Sequence, residues 1–184
     1  SSTDATAQVV ARQPVKLFFE HEVQSSYAAR NKGVVSARGD IVAFTDSDCL
    51  PQKDWLQTGV ATLMRTGADL VAGKVEFYFD KAEDLYQMHD SLINMNQKNK
   101  VEQKNEAATA NLFVKSSVFS EIGLFPSEVR SGGDIYWTHY AFCQGYKLIY
   151  DSKAVVLHPA RKKQELLKKQ FRVGYGLVPV WYGY

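Results

Sequence analysis

The sequence predicts an α/β fold, and three observations carry that prediction. Helix-period and strand-like segments alternate in the order helix, strand, helix, strand up to Thr45, an order that layers helices against a sheet. Ile41 to Phe44 is an uninterrupted apolar run, of the kind buried on both faces of a parallel sheet. The 184 residues, 45% of them apolar, suffice for one core of ordinary size.

Each element has a local reason. Ser2 or Thr3 is placed to cap a short helix over Asp4 to Arg12, which Pro14 breaks before Val15 to Glu20 reads as a strand. Ser25 or Ser26 caps a second helix to about Arg38, with Gly39 at its end. After the Ile41 to Thr45 strand and Pro51, apolar residues at Trp55, Leu56, Val60, Leu63 and Met64 recur at the helical period over Asp54 to Arg65. Asp69 to Phe79 is strand-like, with Gly73 permitting a bend. Ala82 to Gln103 is polar but carries an apolar stripe, Leu85, Met88, Leu92 and Met95, and reads as a surface helix fraying toward its end. Ala107 to Val114 returns to strand and Ser116 to Ile122 to a short helix. Gly132-Gly133-Asp134 then opens a helix over Ile135 to Gln144 that Gly145 ends. Two short strands, Tyr146 to Tyr150 and Ala154 to Leu157, precede His158-Pro159 and a basic C-terminal helix over about 161–173. With no internal repeat and no linker, the simplest division is one domain over 1–184.

Charge and cysteine usage exclude more than they assign. The balance of 22 basic against 20 acidic residues, net +2, is too even to argue for a nucleic-acid partner. Cys49 and Cys143 have neither CxxC nor Cys/His spacing, which argues against a disulfide framework or zinc site and for a reducing compartment. No signal-peptide pattern opens the chain and no run of about 18 apolar residues could span a bilayer. The chain therefore reads as soluble.

The apolar strand ends abruptly in "TDSD". If the extended geometry persists, Asp46 and Asp48 point the same way from its tip, and two converging carboxylates repel unless something positive lies between them. A turn also accounts for them, because Asp, Ser and Pro are turn residues. Position favours chemistry: ligands of open α/β sheets bind beyond the carboxyl ends of strands. There Mg²⁺ or Mn²⁺ would relieve the repulsion and leave coordination positions for phosphate oxygens. Asp134, after two glycines at a helix start, is either an N-cap or a carboxylate poised to take a proton from a hydroxyl. His158, just beyond "AVVL", is either a satisfied structural histidine, in competition with His21, His89 and His139, or an imidazole completing the carboxylate pair. The run Arg161, Lys162, Lys163, Lys168, Lys169 and Arg172, against Glu165, is a solvated face, a clamp on a pyrophosphate leaving group, or a surface for anionic lipid beside the aromatic tail.

Taken in order, "SSTDAT", "AARNKGVVSARGDIVAFTDSDCLP", "GKVEF", "TANLFVKSSVFSEIGLF", "SGGDIYWTHYAFCQGYKLIYDSKAVVLHP" and "LLKKQFRVGYG" resemble the GT-A glycosyltransferases of family 2, inverting enzymes that use nucleotide-diphosphate sugars. The resemblance covers most of the chain, and the order and spacing of its segments are more specific than a lone DxD. It implies a Rossmann-like nucleotide-diphospho-sugar transferase fold with a mostly parallel central sheet. It implies that Asp46 and Asp48 hold Mn²⁺ or Mg²⁺ on the donor diphosphate, that His158 completes the metal site, and that Asp134 is the catalytic base. Arg30 and Asp40 fall in the segment that lines the nucleotide pocket, and Lys169 and Arg172 in the basic run assigned to the donor. Haloacid-dehalogenase-type phosphatases also set a DxD at a strand end, but their residue order is not found here.

The reaction so implied is one displacement with inversion. Asp134 takes the proton of an acceptor hydroxyl attacking the anomeric carbon, and the metal stabilises the departing nucleoside diphosphate. A glycan or lipid-linked acceptor is implied, in assembly of a surface glycan, polysaccharide or glycolipid in a bacterium. The implied setting is cytoplasmic, at the inner face of the plasma membrane, with peripheral contact through the basic helix. The family pattern opens with a strand, a helix and a second strand ahead of "STDAT", a unit of about 30 or more residues, and this chain reads as lacking it. A fragment that binds nucleotide or glycan without turnover is the rival expectation. "KKQFRVGYG" does not supply the Gln-x-x-Arg-Trp of processive synthases, so transfer of a single sugar is expected.

Overall fold

The apolar runs become the strands β1 (Ile41–Thr45), β2 (Leu50–Pro51), β3 (Leu70–Tyr78), β4 (Asn111–Lys115) and β5 (Leu148–Pro159), joined in one sheet of order β1-β4-β3-β5-β2. The helices are α1 (Thr6–Val10), α2 (Ser26–Ser36), α3 (Trp55–Thr66), α4 (Leu85–Ile93), α5 (Gln97–Lys104), α6 (Ser116–Ile122), α7 (Gly133–Cys143) and α8 (Lys163–Tyr182). The computed structural model describes residues 4–79 and 84–182, with side chains through 174. The α/β layering is as expected. The sheet is mixed rather than mostly parallel: β3 and β5 are parallel, but β1 with β4, β4 with β3, and β2 with β5 are antiparallel. Thus β1, β3 and β5 share one direction, and β4 returns between β1 and β3 against them.

Strand alternation sorts the apolar residues onto two faces. Phe44, Leu70, Ala72, Leu112 and Val114 pack with Tyr27 of α2, Phe119 of α6, Phe125, and Trp137 of α7. Val71, Phe113, Ala154 and Val156 pack on the other face with Trp55 and Leu63 of α3. Both faces are covered, which is why these strands read as unbroken apolar runs. Gly59 lets α3 sit close, since a Cβ there would fall inside the Phe113 ring.

The bend expected at Gly73 is a bulge. Gly73 pairs with Asp151, yet Lys74 pairs with Val155, so three residues of β5 are passed over. The carbonyls released there are met by Asn111, whose Nδ2 donates to Lys74 O and to Ala154 O, each at 2.8 Å. Its Oδ1 accepts from Trp55 Nε1 at 2.8 Å. A Cβ on Gly73 would collide with the Asn111 amide and the Ala154 carbonyl, so glycine is what makes room for the bridge.

Several expected elements differ. Residues 16–20 form no strand; Val15, Phe18 and Phe19 are exposed, and no described strand lies alongside to complete a ladder. The two strands expected before His158 are one, β5, continuous through the bulge. Of the 107–114 segment only Asn111 onward is strand. The helix expected over 82–103 begins at Leu85 and breaks after Ile93, where Asn96 caps α5 by accepting from Asn99 N at 3.1 Å. Residues 82 and 83 lie outside the described residues, as do the caps expected at Ser2 or Thr3. The apolar stripe of α4 points outward: Leu85 and Leu92 are 76% and 77% exposed, while Gln87 and Asp90 are buried. Ser25 is the cap of α2, its Oγ accepting from Tyr27 N at 3.1 Å.

Asn111→Leu leaves the Trp55 N–H and two carbonyls unpaired, and costs about 3 kcal/mol. Urea unfolding should show a lower midpoint at unchanged slope, with Gly73→Ala moving in the same direction; a midpoint equal to wild type for Asn111→Leu would show that the bridge contributes nothing.

Candidate active site

The strand end does not stay extended. Cys49 N donates to Asp46 O at 3.0 Å, closing a turn, and the two aspartates take different partners. Asp46 Oδ1 accepts from Arg30 Nη2 of α2 at 2.8 Å. Asp48 is carried to β5, because Leu50 pairs with Leu157. Its Oδ2 lies 3.6 Å from His158 Nε2.

His158 is fully buried, with its ring 5.4 Å from that of Phe77. Its Nδ1 is 2.7 Å from Pro159 O. A carbonyl only accepts, so the proton sits on Nδ1 and the Nε2 lone pair faces outward. That lone pair and the Asp48 carboxylate are both acceptors, and Arg161 Nη2 is the donor at Nε2, 3.1 Å away. Oxygen and imidazole nitrogen facing each other fit a hard or borderline divalent cation. Cys49 Sγ belongs to the same group of potential ligand atoms, all within 4.8 Å of one another. Burial pushes the Cys49 thiol up to about 11, so at neutral pH it is a neutral thiol and a poor ligand.

Asp134 stands in the first turn of α7, after Gly132, which holds φ +80° as the N-cap. The cap is therefore the glycine, and the Asp134 side chain reaches elsewhere. Its Oδ1 accepts from Tyr27 OH at 2.9 Å and Ile135 N at 3.1 Å; its Oδ2 accepts from Thr109 N at 2.9 Å and Thr109 Oγ1 at 3.1 Å. Four donors from three elements fix its direction. Burial, and then the Asp134 charge, push the Tyr27 phenol well above its usual range, so it stays a donor.

A cleft of about 790 Å³ opens between these groups. Asp46, Asp48, Thr109 and Asp134 line it, as do Arg30, Arg130, Arg161, Lys169 and Arg172. The volume is ordinary for a small-molecule site. Lys169 is largely buried, its Nζ 3.6 Å from Asp90 Oδ1. Burial and the neighbouring Arg161 push it down to about 8 against the pull of Asp90. Asp40 is not in the cleft; it precedes β1, at the end opposite Asp46, where its carbonyl accepts from Ser116 N. Of the residues that the sequence singles out, Asp46, Asp48, Asp134, Arg30, Lys169 and Arg172 line the cleft, and His158 lies buried against Asp48. Sequence reading missed Tyr27, Thr109 and Asp90, none of which stands at a strand tip or in a charge run. The polar spacing of Gln87, Asp90 and Asn94 along one helical face was the available signal.

The family model described as glycosyl transferase family 2 matches residues 1–120. Over 185 residues the chain is 43% identical to Glycosyltransferase AglE of Haloferax volcanii, covering 98% of this chain and 61% of that protein. It is 26% identical over 140 residues to the pre-mycofactocin glycosyltransferase of Mycobacterium tuberculosis, covering 73% of this chain and 30% of that one. The chain thus spans less than two thirds of the length of either relative, and the first comes from an archaeon, so a bacterial source is not implied. Among solved structures, the mannosyltransferase PcManGT of Pyrobaculum calidifontis, in complex with GDP-Man and Mn²⁺, superposes with a TM-score of 0.72 at 23% identity, over 98% of this chain and 51% of that one. S. aureus TarS 1-349 in complex with UDP-GlcNAc superposes at 0.65 and 19% identity, over 88% and 48%. The fold is that of GT-A glycosyltransferases. With the family model matching well over half of its residues, the chain belongs to glycosyl transferase family 2.

Proposed function

We propose that this chain is the donor-binding and catalytic part of an inverting glycosyltransferase that moves one sugar from a nucleotide-diphosphate donor to a hydroxyl of a glycan or lipid-linked acceptor. One observation carries the reading: a carboxylate held by four hydrogen bonds shares a cleft with a basic rim and with Asp48, whose carboxylate faces the buried His158. The donors found on PcManGT and TarS support the donor class without choosing a base.

Asp134 is the base. An acceptor hydroxyl entering the cleft takes the Oδ2 position now used by Thr109 Oγ1 and gives its proton there as its oxygen attacks the anomeric carbon. Tyr27 and the Thr109 N–H keep the carboxylate aimed during transfer. Attack opposite the leaving group, in a single step, inverts the anomeric configuration. Asp48 and His158, with Asp46 beside them, would hold Mn²⁺ or Mg²⁺, which when bound neutralises charge growing on the departing diphosphate. Arg161, Lys169 and Arg172 supply further positive charge on that side, and Arg30 fixes Asp46. The exposed Leu167 and Phe171 of α8, with the outward Leu85 and Leu92 of α4 and the nearby lysines, support peripheral contact with an anionic membrane at its cytoplasmic face. No described helix is long and apolar enough to cross a membrane.

A thermal-shift panel of UDP, GDP, dTDP and CDP should raise Tm for one nucleotide only with Mn²⁺, and Asp48→Ala should lose that shift. With the matching sugar donor, Asp134→Asn should lower nucleoside diphosphate release by about 10²- to 10⁴-fold while donor binding persists; undiminished release would remove Asp134 as base. A wild-type chain that binds donor but never releases diphosphate, with any hydroxyl acceptor, is the non-enzymatic fragment.

Lys169, titrating at about 8, is cationic at neutral pH and loses its charge as pH rises. Diphosphate affinity should therefore fall through pH 8, and Lys169→Met should flatten that limb in titrations from pH 7 to 9. Stability moves the other way: the unfolded lysine, at 10.5, holds its proton longer, so this group's contribution to stability rises between pH 8 and 10.5. Sedimentation with vesicles containing phosphatidylserine should carry down the wild type and much less of Leu92→Ser/Phe171→Ser; equal recovery would dismiss membrane contact through this face.

A further inference from the structure

Asp90 has no part in the chemistry above, does not line the cleft, and is fully buried. A carboxylate so removed from water must be paired and hydrogen-bonded. Its Oδ2 accepts from Arg161 N at 2.9 Å and from Arg161 Nη1 at 3.4 Å. Its Oδ1 accepts from Asn94 Nδ2 at 2.7 Å and lies 3.6 Å from Lys169 Nζ. The two cations come from different elements, Arg161 from the segment after β5 and Lys169 from α8, and both line the cleft. Arg161 reaches on to His158 Nε2. One carboxylate outside the cleft thus sets the position of two charges inside it and, through one of them, touches the imidazole facing Asp48.

Stability does not explain this arrangement. To bury Gln87 and Asp90, α4 leaves Leu85, Met88 and Leu92 facing water. Turning the leucines inward would remove more apolar surface from water, whereas a buried ion pair at best breaks even against hydrophobic packing. What the arrangement does secure is a fixed pair of cations. Burial and Arg161 lower the Lys169 pKa, and Asp90 opposes them, keeping the ammonium charged at neutral pH.

We propose that Asp90 is a positioning residue for the donor diphosphate, holding Arg161 and Lys169 side by side with their remaining N–H groups toward the cleft. This rests on the donor-site reading above. It acts through the two cations and touches neither substrate nor metal.

Isothermal titration with Mn²⁺ pyrophosphate, which needs no nucleotide base, and in parallel with Mn²⁺ alone, tests it on wild type, Asp90→Asn, Lys169→Met and the double variant, each confirmed folded by circular dichroism. Asp90→Asn should weaken pyrophosphate by about tenfold or more, as loss of a ligand-orienting partner does, and change the affinity for Mn²⁺ alone by much less. In the Lys169→Met background its effect should shrink, because the two residues act as one unit. Wild-type pyrophosphate affinity in Asp90→Asn, or an undiminished effect in the double variant, overturns the proposal. Should Asp90→Asn not fold, Arg161→Gln and Lys169→Gln decide: unchanged pyrophosphate affinity in both overturns it, and tenfold losses support it. If wild type itself binds no Mn²⁺ pyrophosphate, the donor-site reading fails and takes this proposal with it.

Discussion

The amide of Asn111, lodged where Gly73 has no side chain, is the contact on which the candidate site depends. Before the bulge, Ile149 of β5 packs with the α3 face of the sheet; after it, Ala154 and Val156 do. Passing over three residues changes odd for even, and a strand's alternation then carries His158 to the face of Val156. In an unbroken ladder Leu157 would take that face, and the imidazole would point away from Asp48. The bulge exposes two carbonyls, and a buried carbonyl without a donor is costly. Asn111 meets both and accepts from Trp55 in return, so the same side chain stabilises α3 packing and aims His158.

Charge organises the rest of the cleft. Asp46, Asp48 and Asp134 share one cavity and differ in what meets them: Arg30 pairs with Asp46, Asp48 faces the His158 Nε2 to which Arg161 donates, and neutral donors alone hold Asp134. That difference separates their chemistry. A carboxylate matched with a guanidinium is neutralised, whereas one held by hydroxyl and backbone donors has no cation of its own, and it is the one to which the proposed function gives the acceptor's proton.

Much of this was legible in the residues. The Ile41 to Thr45 strand, the helix opened by Gly132-Gly133-Asp134, the Ser25 cap and the bend at Gly73 follow from alternation, capping and the absence of a Cβ, which act locally. The aspartates and histidine were legible because each follows an apolar run or a glycine pair. Hidden were the features decided by partners distant in sequence. Whether Lys16 to Glu20 becomes a strand depends on a neighbouring ladder, and the face of α4 that turns inward depends on Arg161 and Lys169, some 70 residues on. Asp40 misled for the opposite reason: it is close to Asp46 in sequence but separated from it by the full length of β1.

The inversion of α4 shows how far local patterning can be overruled. Its apolar stripe has the right spacing to face a core, and propensity alone would put it there. Arg161, after β5, and Lys169 of α8 bring two cations to that side, and the polar side of α4 meets them with Asp90. Once Gln87 and Asp90 face inward, Leu85 and Leu92, each two positions from one of them, face outward, since positions two apart on a helix do not share a face. The exposed leucines are therefore a consequence of the buried carboxylate, and they leave an apolar surface on α4 beside the basic α8. One charge inside the protein accounts both for the cations at the cleft and for the character of the outer face.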